Sequence, residues 1–315
     1  GLGVILLIRG GDYTIDSAVY IARKMGVSPL VVGFTIVAFG TSLPELLVSI
    51  NANLKDLPGI AVGNVLGSNV ANILLVIGAA AAVSALTTDP KSVKRDLVAM
   101  MLATVLLIGF MMSGLITQWM GGIMIALLLG YVLWQYQSVL KGEAEAEDIE
   151  EPEFSSDHYA YLFLISGLVL VALGAEFLVR GAEVSALVLG VPEAVIALTL
   201  IALGTSLPEL STCIAASLKK QSDIIIGNII GSNFFNIMMI IGSASLVKAI
   251  PVNAVSMGPD VMTRDIWIML AVSLFFAAWL FLTGKIGRVM GASFLILYVI
   301  YIAWIYIESG TQLQI

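Results

Sequence analysis

Two glutamates set in apolar surroundings carry the chemistry of this chain. Glu45 ends the run Gly40-Thr41-Ser42-Leu43-Pro44-Glu45, and Glu209 ends the identical run Gly204-Thr205-Ser206-Leu207-Pro208-Glu209. Each is followed by a second motif, Gly63-Asn64-Val65-Leu66-Gly67-Ser68-Asn69-Val70-Ala71-Asn72 and Gly227-Asn228-Ile229-Ile230-Gly231-Ser232-Asn233-Phe234-Phe235-Asn236. The counterpart of each residue lies 164 positions further on, without a gap from Gly10/Gly174 to Gly78/Gly242. The chain is an internal duplication, and each copy sets one carboxylate inside a long apolar run.

A carboxylate among apolar residues is costly unless partners offset it, which marks Glu45 and Glu209 as functional candidates. Pro44 and Pro208 have no N–H, so the carbonyls of Gly40 and Gly204 lose their helical donors and become free oxygens. Thr41 and Glu45 are four residues apart and share a helix face, as do Thr205 and Glu209. Ser68 and Asn72 share a face in the same way, and so do Ser232 and Asn236. Ser42 and Ser206 add two further hydroxyls. Carboxylates, hydroxyls, amides and carbonyls make an all-oxygen set suited to hard cations such as Ca2+ and Na+, whereas Zn2+ or Cu2+ calls for His or Cys.

Plainer roles stand beside these. A hydroxyl in a membrane helix often satisfies a nearby carbonyl. Gly63-x-x-x-Gly67 and Gly227-x-x-x-Gly231 allow close helix approach, and Asn64, Asn69, Asn228 and Asn233 suit bridges between helices. Asp12 and Glu176 are a matched acidic pair, with Glu176 placed for an ion pair to Arg180 four residues on.

Of the 315 residues, 59% are hydrophobic and 12% charged, and the mean hydropathy is +1.01. A soluble domain carries about 25% charged residues, so this chain is an all-α polytopic membrane protein. Spans of roughly 20 apolar residues suit helices, and the alternating segments of a β-barrel are missing from the pattern. Cys213 is the one cysteine, which excludes an intramolecular disulfide, and His158, the one histidine, falls in a polar stretch. No organic cofactor and no nucleic-acid partner are expected. The chain opens inside an apolar run; no signal peptide is read there, and the start is taken as trimmed.

The pattern predicts ten spans, near 2–22, 28–53, 59–84, 97–113, 117–139, 159–187, 192–218, 223–248, 265–283 and 287–307. Residues 1–140 and 159–315 form two five-helix halves joined by a linker over 141–158. The linker is acidic (Glu143, Glu145, Glu147, Asp148, Glu150, Glu151, Glu153), and such a run is usually a solvated tether. Calcium binding there is a lesser alternative, since EF-hand spacing is missing.

With the first terminus outside, Arg23, Lys24, Lys91, Lys94, Arg95, Lys141, Lys219, Lys220, Lys285 and Arg288 fall inside, against Lys55, Lys248 and Arg264 outside. That bias puts both termini outside and the linker in the cytoplasm. Five helices per copy is odd, so the second copy must cross upside down, the inverted-repeat plan of many secondary transporters.

In these motifs the chain resembles the Ca2+/cation antiporter superfamily, specifically its Na+/Ca2+ exchanger branch. The resemblance covers nearly the whole chain, and Gly-Thr-Ser-Leu-Pro-Glu in both halves is specific to that branch; the short linker looks prokaryotic, in a plasma or inner membrane. It implies a Na+/Ca2+ antiporter, not an enzyme, with Ca2+ and Na+ as transported ions and the lipid bilayer as its setting. It implies that Glu45 and Glu209 bind Ca2+ with the carbonyls of Thr41 and Thr205. Ser42, Ser68, Ser206 and Ser232, with the carbonyls of Ala38 and Ala202, would complete the Na+ sites, and Asn72 and Asn236 would close the ring. Potassium-dependent relatives carry Asp where this chain has Asn236, which implies K+ independence. The resemblance also implies that helices 1 and 6 slide to switch access. A Ca2+/H+ antiporter is the nearest alternative and a cation channel a further one. A membrane protease is excluded by the lack of its motifs.

Overall fold

The computed structural model describes residues 2–140, 157–188, 204–253 and 264–312. Eleven helices lie in these residues. They are α1 (Leu2–Met25), α2 (Pro29–Thr41), α3 (Leu43–Leu54), α4 (Pro58–Val83), α5 (Pro90–Met112), α6 (Gln118–Leu140), α7 (Asp157–Val188), α8 (Leu207–Leu218), α9 (Ser222–Val247), α10 (Ile266–Thr283) and α11 (Arg288–Gln312). Most of the linker and the expected start of the seventh span, with Ala202, fall outside the described residues.

Several boundaries differ from expectation, two of them for a visible physical reason. α5 begins seven residues early, at Pro90, because Asp89 caps it by accepting from the Lys91 amide and Pro90 needs no donor there. Its first turns carry Lys91, Lys94 and Arg95, which read as a loop in hydropathy alone. α7 begins at Asp157, so His158 belongs to a helix and not to the linker. Asp157 is held there by Tyr20, which donates at 2.7 Å, and by Lys24 at 3.3 Å.

Seven of these helices are long and apolar enough to cross a membrane, and α2 with α3 makes an eighth if that bent pair is one span. α1 is less apolar because Arg9, Asp12 and Asp16 interrupt it, and the described part of α8 is short. The chain is a multi-pass helical membrane protein. α4 and α9 are its centre: the apolar window of α9 is wholly buried and most of that of α4, whereas α6, α7, α10 and α11 turn large side chains such as Leu133, Ile165, Leu282 and Val289 outward.

The halves interlock. α11 packs on α4 and α6 on α9, so each contact joins the two sides of the linker. Four two-residue strands repeat the exchange: β1 (Leu86–Thr87) pairs with β4 (Lys285–Ile286), and β2 (Leu115–Ile116) with β3 (Ile250–Pro251), all antiparallel. No alternation in the sequence announced them. Asn53 donates to the Ala244 carbonyl at 2.8 Å, and its counterpart Ser217 donates to Ala80, the counterpart of Ala244, at 2.7 Å.

α1 and α7 run antiparallel in close contact. A Cβ on Gly10 would lie 2.7 Å from the Gly167 carbonyl, and one on Gly174 would lie 2.9 Å from the Gly3 carbonyl. Both neighbours are backbone, so only glycine permits this spacing. Gly227 and Gly231 similarly receive the Leu30 and Phe34 carbonyls of α2, as expected of that motif. For Gly63 and Gly67 no such neighbour lies among the described residues.

Candidate functional site

The long second span is broken in the middle. Ser42 leaves helical geometry at φ −83°, ψ 0°, and α2 and α3 meet there at 44°. Pro44 sits in the first turn of α3, where its missing donor is harmless, so the break falls just before it. Ser206 repeats the geometry at φ −87°, ψ 1°, before Pro208 and α8. Each break therefore places a Thr-Ser pair ahead of a fresh helix N-terminus that carries its glutamate in the first turn. A second irregularity faces it: π-helical turns begin at Asn72 in α4 and at Asn236 in α9. Such turns open the backbone ladder and are frequent at functional sites.

Nearly every candidate converges on this centre and is buried. Glu45, Ser42, Asn72, Glu209, Ser232, Asn236 and Ala38 are closed to solvent, with Thr41, Ser68, Thr205 and Ser206 close behind. Glu45 and Glu209 are near enough to feel each other's charge. Thr41 lies beside the Glu209 carboxyl of the other half, yet its hydroxyl donates to the Ala38 carbonyl at 3.4 Å. Sharing a helix face with Glu45 was thus only part of its placement.

The centre is held together by asparagines from both halves. Asn72 Nδ2 donates to Asn233 Oδ1 at 3.0 Å, and Asn236 Nδ2 donates to Asn69 Oδ1 at 3.1 Å. Asn69 and Asn233 also exchange bonds to each other's carbonyls, at 3.4 and 3.3 Å. Asn236 further donates to Ser68 Oγ at 3.0 Å. Asn69 and Asn233 are the helix bridges the sequence suggested; Asn233 accepts one amide hydrogen of Asn72 and Asn69 one of Asn236, while the Oδ1 oxygens of Asn72 and Asn236 are left over.

Those oxygens are the main finding. Both carboxyl oxygens of Glu45 and of Glu209, the hydroxyls of Ser42 and Ser206, and Oδ1 of Asn72 and Asn236 find no hydrogen-bond partner among the described residues. These eight atoms form four counterpart pairs. Isolated buried acceptors are costly one at a time, so eight of them in counterpart pairs mark this centre as the candidate site. Among the described residues no three His, Cys, Asp or Glu side chains cluster.

The sequence did not pick out Ser49. It accepts from the Asn64 amide, which also donates to the Glu45 carbonyl, and its counterpart is Cys213. Residue type alone gave no signal for it; only its position four residues past each glutamate could have done so.

A family model described as sodium/calcium exchanger protein matches residues 1–137 and 159–307. The chain belongs to the sodium/calcium exchanger family. It is 31% identical to "Sodium/calcium exchanger MaX1" of Methanosarcina acetivorans, covering 96% of this chain and 95% of that one. It is 34% identical to "Putative antiporter CaxA" of Alkalimonas amylolytica, with 97% and 96% covered. A solved structure of the sodium-calcium exchanger NCX_Mj, soaked with 10 mM Na+ and zero Ca2+, superposes with a TM-score of 0.82 at 34% identity over 96% of each chain. As a member of that family the exchanger is a membrane antiporter of cations.

Proposed function

We propose that this exchanger moves Ca2+ against Na+ at one central cluster built from Glu45 and Glu209, without a requirement for K+. The observation that carries the reading is the set of eight buried oxygens in counterpart pairs. Two carboxylates neutralise one Ca2+, and the hydroxyl, amide and carbonyl oxygens suit Na+. Ser42, Ser206, Asn72 and Asn236 supply free oxygens; Thr41, Thr205 and Ala38 supply carbonyls at the breaks, and Ser68 and Ser232 line the centre, with Ala202 assigned by the repeat alone. Both ions use the two glutamates, so they compete. A half-loaded site leaves a buried charge uncompensated, which disfavours its occluded form and makes exchange obligatory.

The full architecture goes with this reading: ten spans in two inverted halves, 1–140 and 159–315, joined by the cytoplasmic linker 141–158, with both termini outside a prokaryotic plasma membrane. α1 and α7 then move together across the core to change access, their glycine contact keeping them as a pair. Asn236 in place of a carboxylate removes the charge that would hold K+.

The test is Ca2+ uptake by proteoliposomes loaded with Na+ and diluted into Na+-free buffer. Uptake that needs internal Na+, ignores K+ and vanishes in the Glu45→Gln, Glu209→Gln double variant is the expected result. Uptake driven by a pH gradient alone makes the protein a Ca2+/H+ antiporter, and flux without any counter-ion makes it a channel.

A further inference from the structure

The amide of Asn64 stands behind Glu45 and reaches both halves of the site. Its Nδ2 donates to the Glu45 carbonyl at 3.3 Å and to Ser49 Oγ at 3.0 Å, while its Oδ1 accepts from Thr205 Oγ1 at 3.4 Å. Ser49 in turn donates to the Ala61 carbonyl at 3.2 Å, which ties α3 to α4 one turn past Glu45. A single side chain thus joins the backbone of the first glutamate to the threonine of the second break.

Its counterpart Asn228 is wired differently. Nδ2 donates to Cys213 Sγ at 3.3 Å, and Oδ1 accepts from Ser232 Oγ at 3.4 Å within α9 itself. Thr41, the counterpart of Thr205, donates to the Ala38 carbonyl, and no bond from it to Asn228 lies among the described residues. Sulfur is a weak acceptor, so the thiol of Cys213 holds this amide less firmly than the hydroxyl of Ser49 holds the other. The ligating residues are identical in the two copies, whereas the braces behind them are not.

We propose that Asn64, with Ser49, is the positioning residue for cation binding, and that the Asn228–Cys213 pair is a looser version that leaves the Glu209 half adaptable. The inference rests on reading the glutamate centre as the cation site. Partners of this kind behind metal ligands typically change affinity about 10–100-fold when removed. The brace fixes Glu45 relative to Thr205 before an ion arrives, so its loss acts on affinity and not on the translocation step.

The experiment is equilibrium Ca2+ binding, and its displacement by Na+, on the purified full chain. Uptake kinetics and ion-free thermal unfolding run beside it. Asn64→Ala is expected to weaken Ca2+ binding about tenfold and to raise the half-saturating Ca2+ in uptake with the maximal rate kept. Asn228→Ala is expected to change affinity by less than about threefold. Ser49→Cys, which copies the second half, gives an intermediate loss and carries the test if Asn64→Ala does not fold. Equal losses at Asn64 and Asn228, or full affinity in Asn64→Ala or Ser49→Cys, would overturn the proposal. Glu45→Gln separates the two readings: if it binds Ca2+ normally the cation site is misplaced, and if it does not while Asn64→Ala does, only the brace is wrong.

Discussion

The asparagine ring and the rim around it come from the same repeat and keep different amounts of its symmetry. At the ring, the bond from Asn72 to Asn233 has its mate in the bond from Asn236 to Asn69, and the two carbonyl exchanges mirror each other. At the rim the copies have parted. Ser49 faces Cys213, and on α1 Asp16 corresponds to Arg180 on α7. Asp16 and Asp12 both pair with Lys219, at 2.8 and 3.4 Å, which fastens α1 to the end of α8. On α7 the counterpart Arg180 repels any lysine and pairs at 2.5 Å with its own neighbour Glu176, as its spacing suggested. Groups that point at a shared centre stayed identical, while groups that meet only one half's surroundings changed.

If the centre is shared equally, Glu45→Gln and Glu209→Gln should each alone reduce equilibrium Ca2+ binding by on the order of a hundredfold or more, since each removes half the charge that neutralises the ion. A large loss in one variant only would break the comparison at its core. Next in size is helix approach. Gly10→Ala sets a methyl 2.7 Å from the Gly167 carbonyl and must part α1 from α7; thermal unfolding should show a loss of about 1–3 kcal/mol.

Within the ring, Asn236→Ala should destabilise more than Asn72→Ala, because Asn236 also serves Ser68. Each interhelical bond in a membrane protein is worth about 0.6 kcal/mol, which sets the expected difference in unfolding. The smallest effect belongs to the rim. Asp16→Asn removes a partly exposed ion pair worth about 0.2–1 kcal/mol, and the loss should shrink as salt is raised. Arg180→Ala should be weaker still, its pair being more exposed.

Much of this was legible because the message is written twice. The glutamates, the Thr-Ser breaks and the Ser-Asn faces all emerge from a fixed offset, and the structure gathers them. The bend at Ser42 was implied by Pro44, but the π-turns at Asn72 and Asn236 were not, since no residue type marks them. Which amide meets which carbonyl across the halves, and the Lys219 clasp on α1, depend on contacts far apart in sequence that periodicity does not encode. The early start of α5 was hidden by its lysines, whose charge masks a capped helix end in any hydropathy reading.

The most direct measurement is where a divalent cation sits. Crystals of the exchanger soaked with Sr2+ or Ca2+ should show anomalous scattering between Glu45 and Glu209, with carboxyl oxygens of both at about 2.3–2.6 Å. The peak should weaken as Na+ is raised and vanish in the Glu45→Gln variant. A peak elsewhere, or one that contacts a single glutamate and persists without it, would contradict the shared centre.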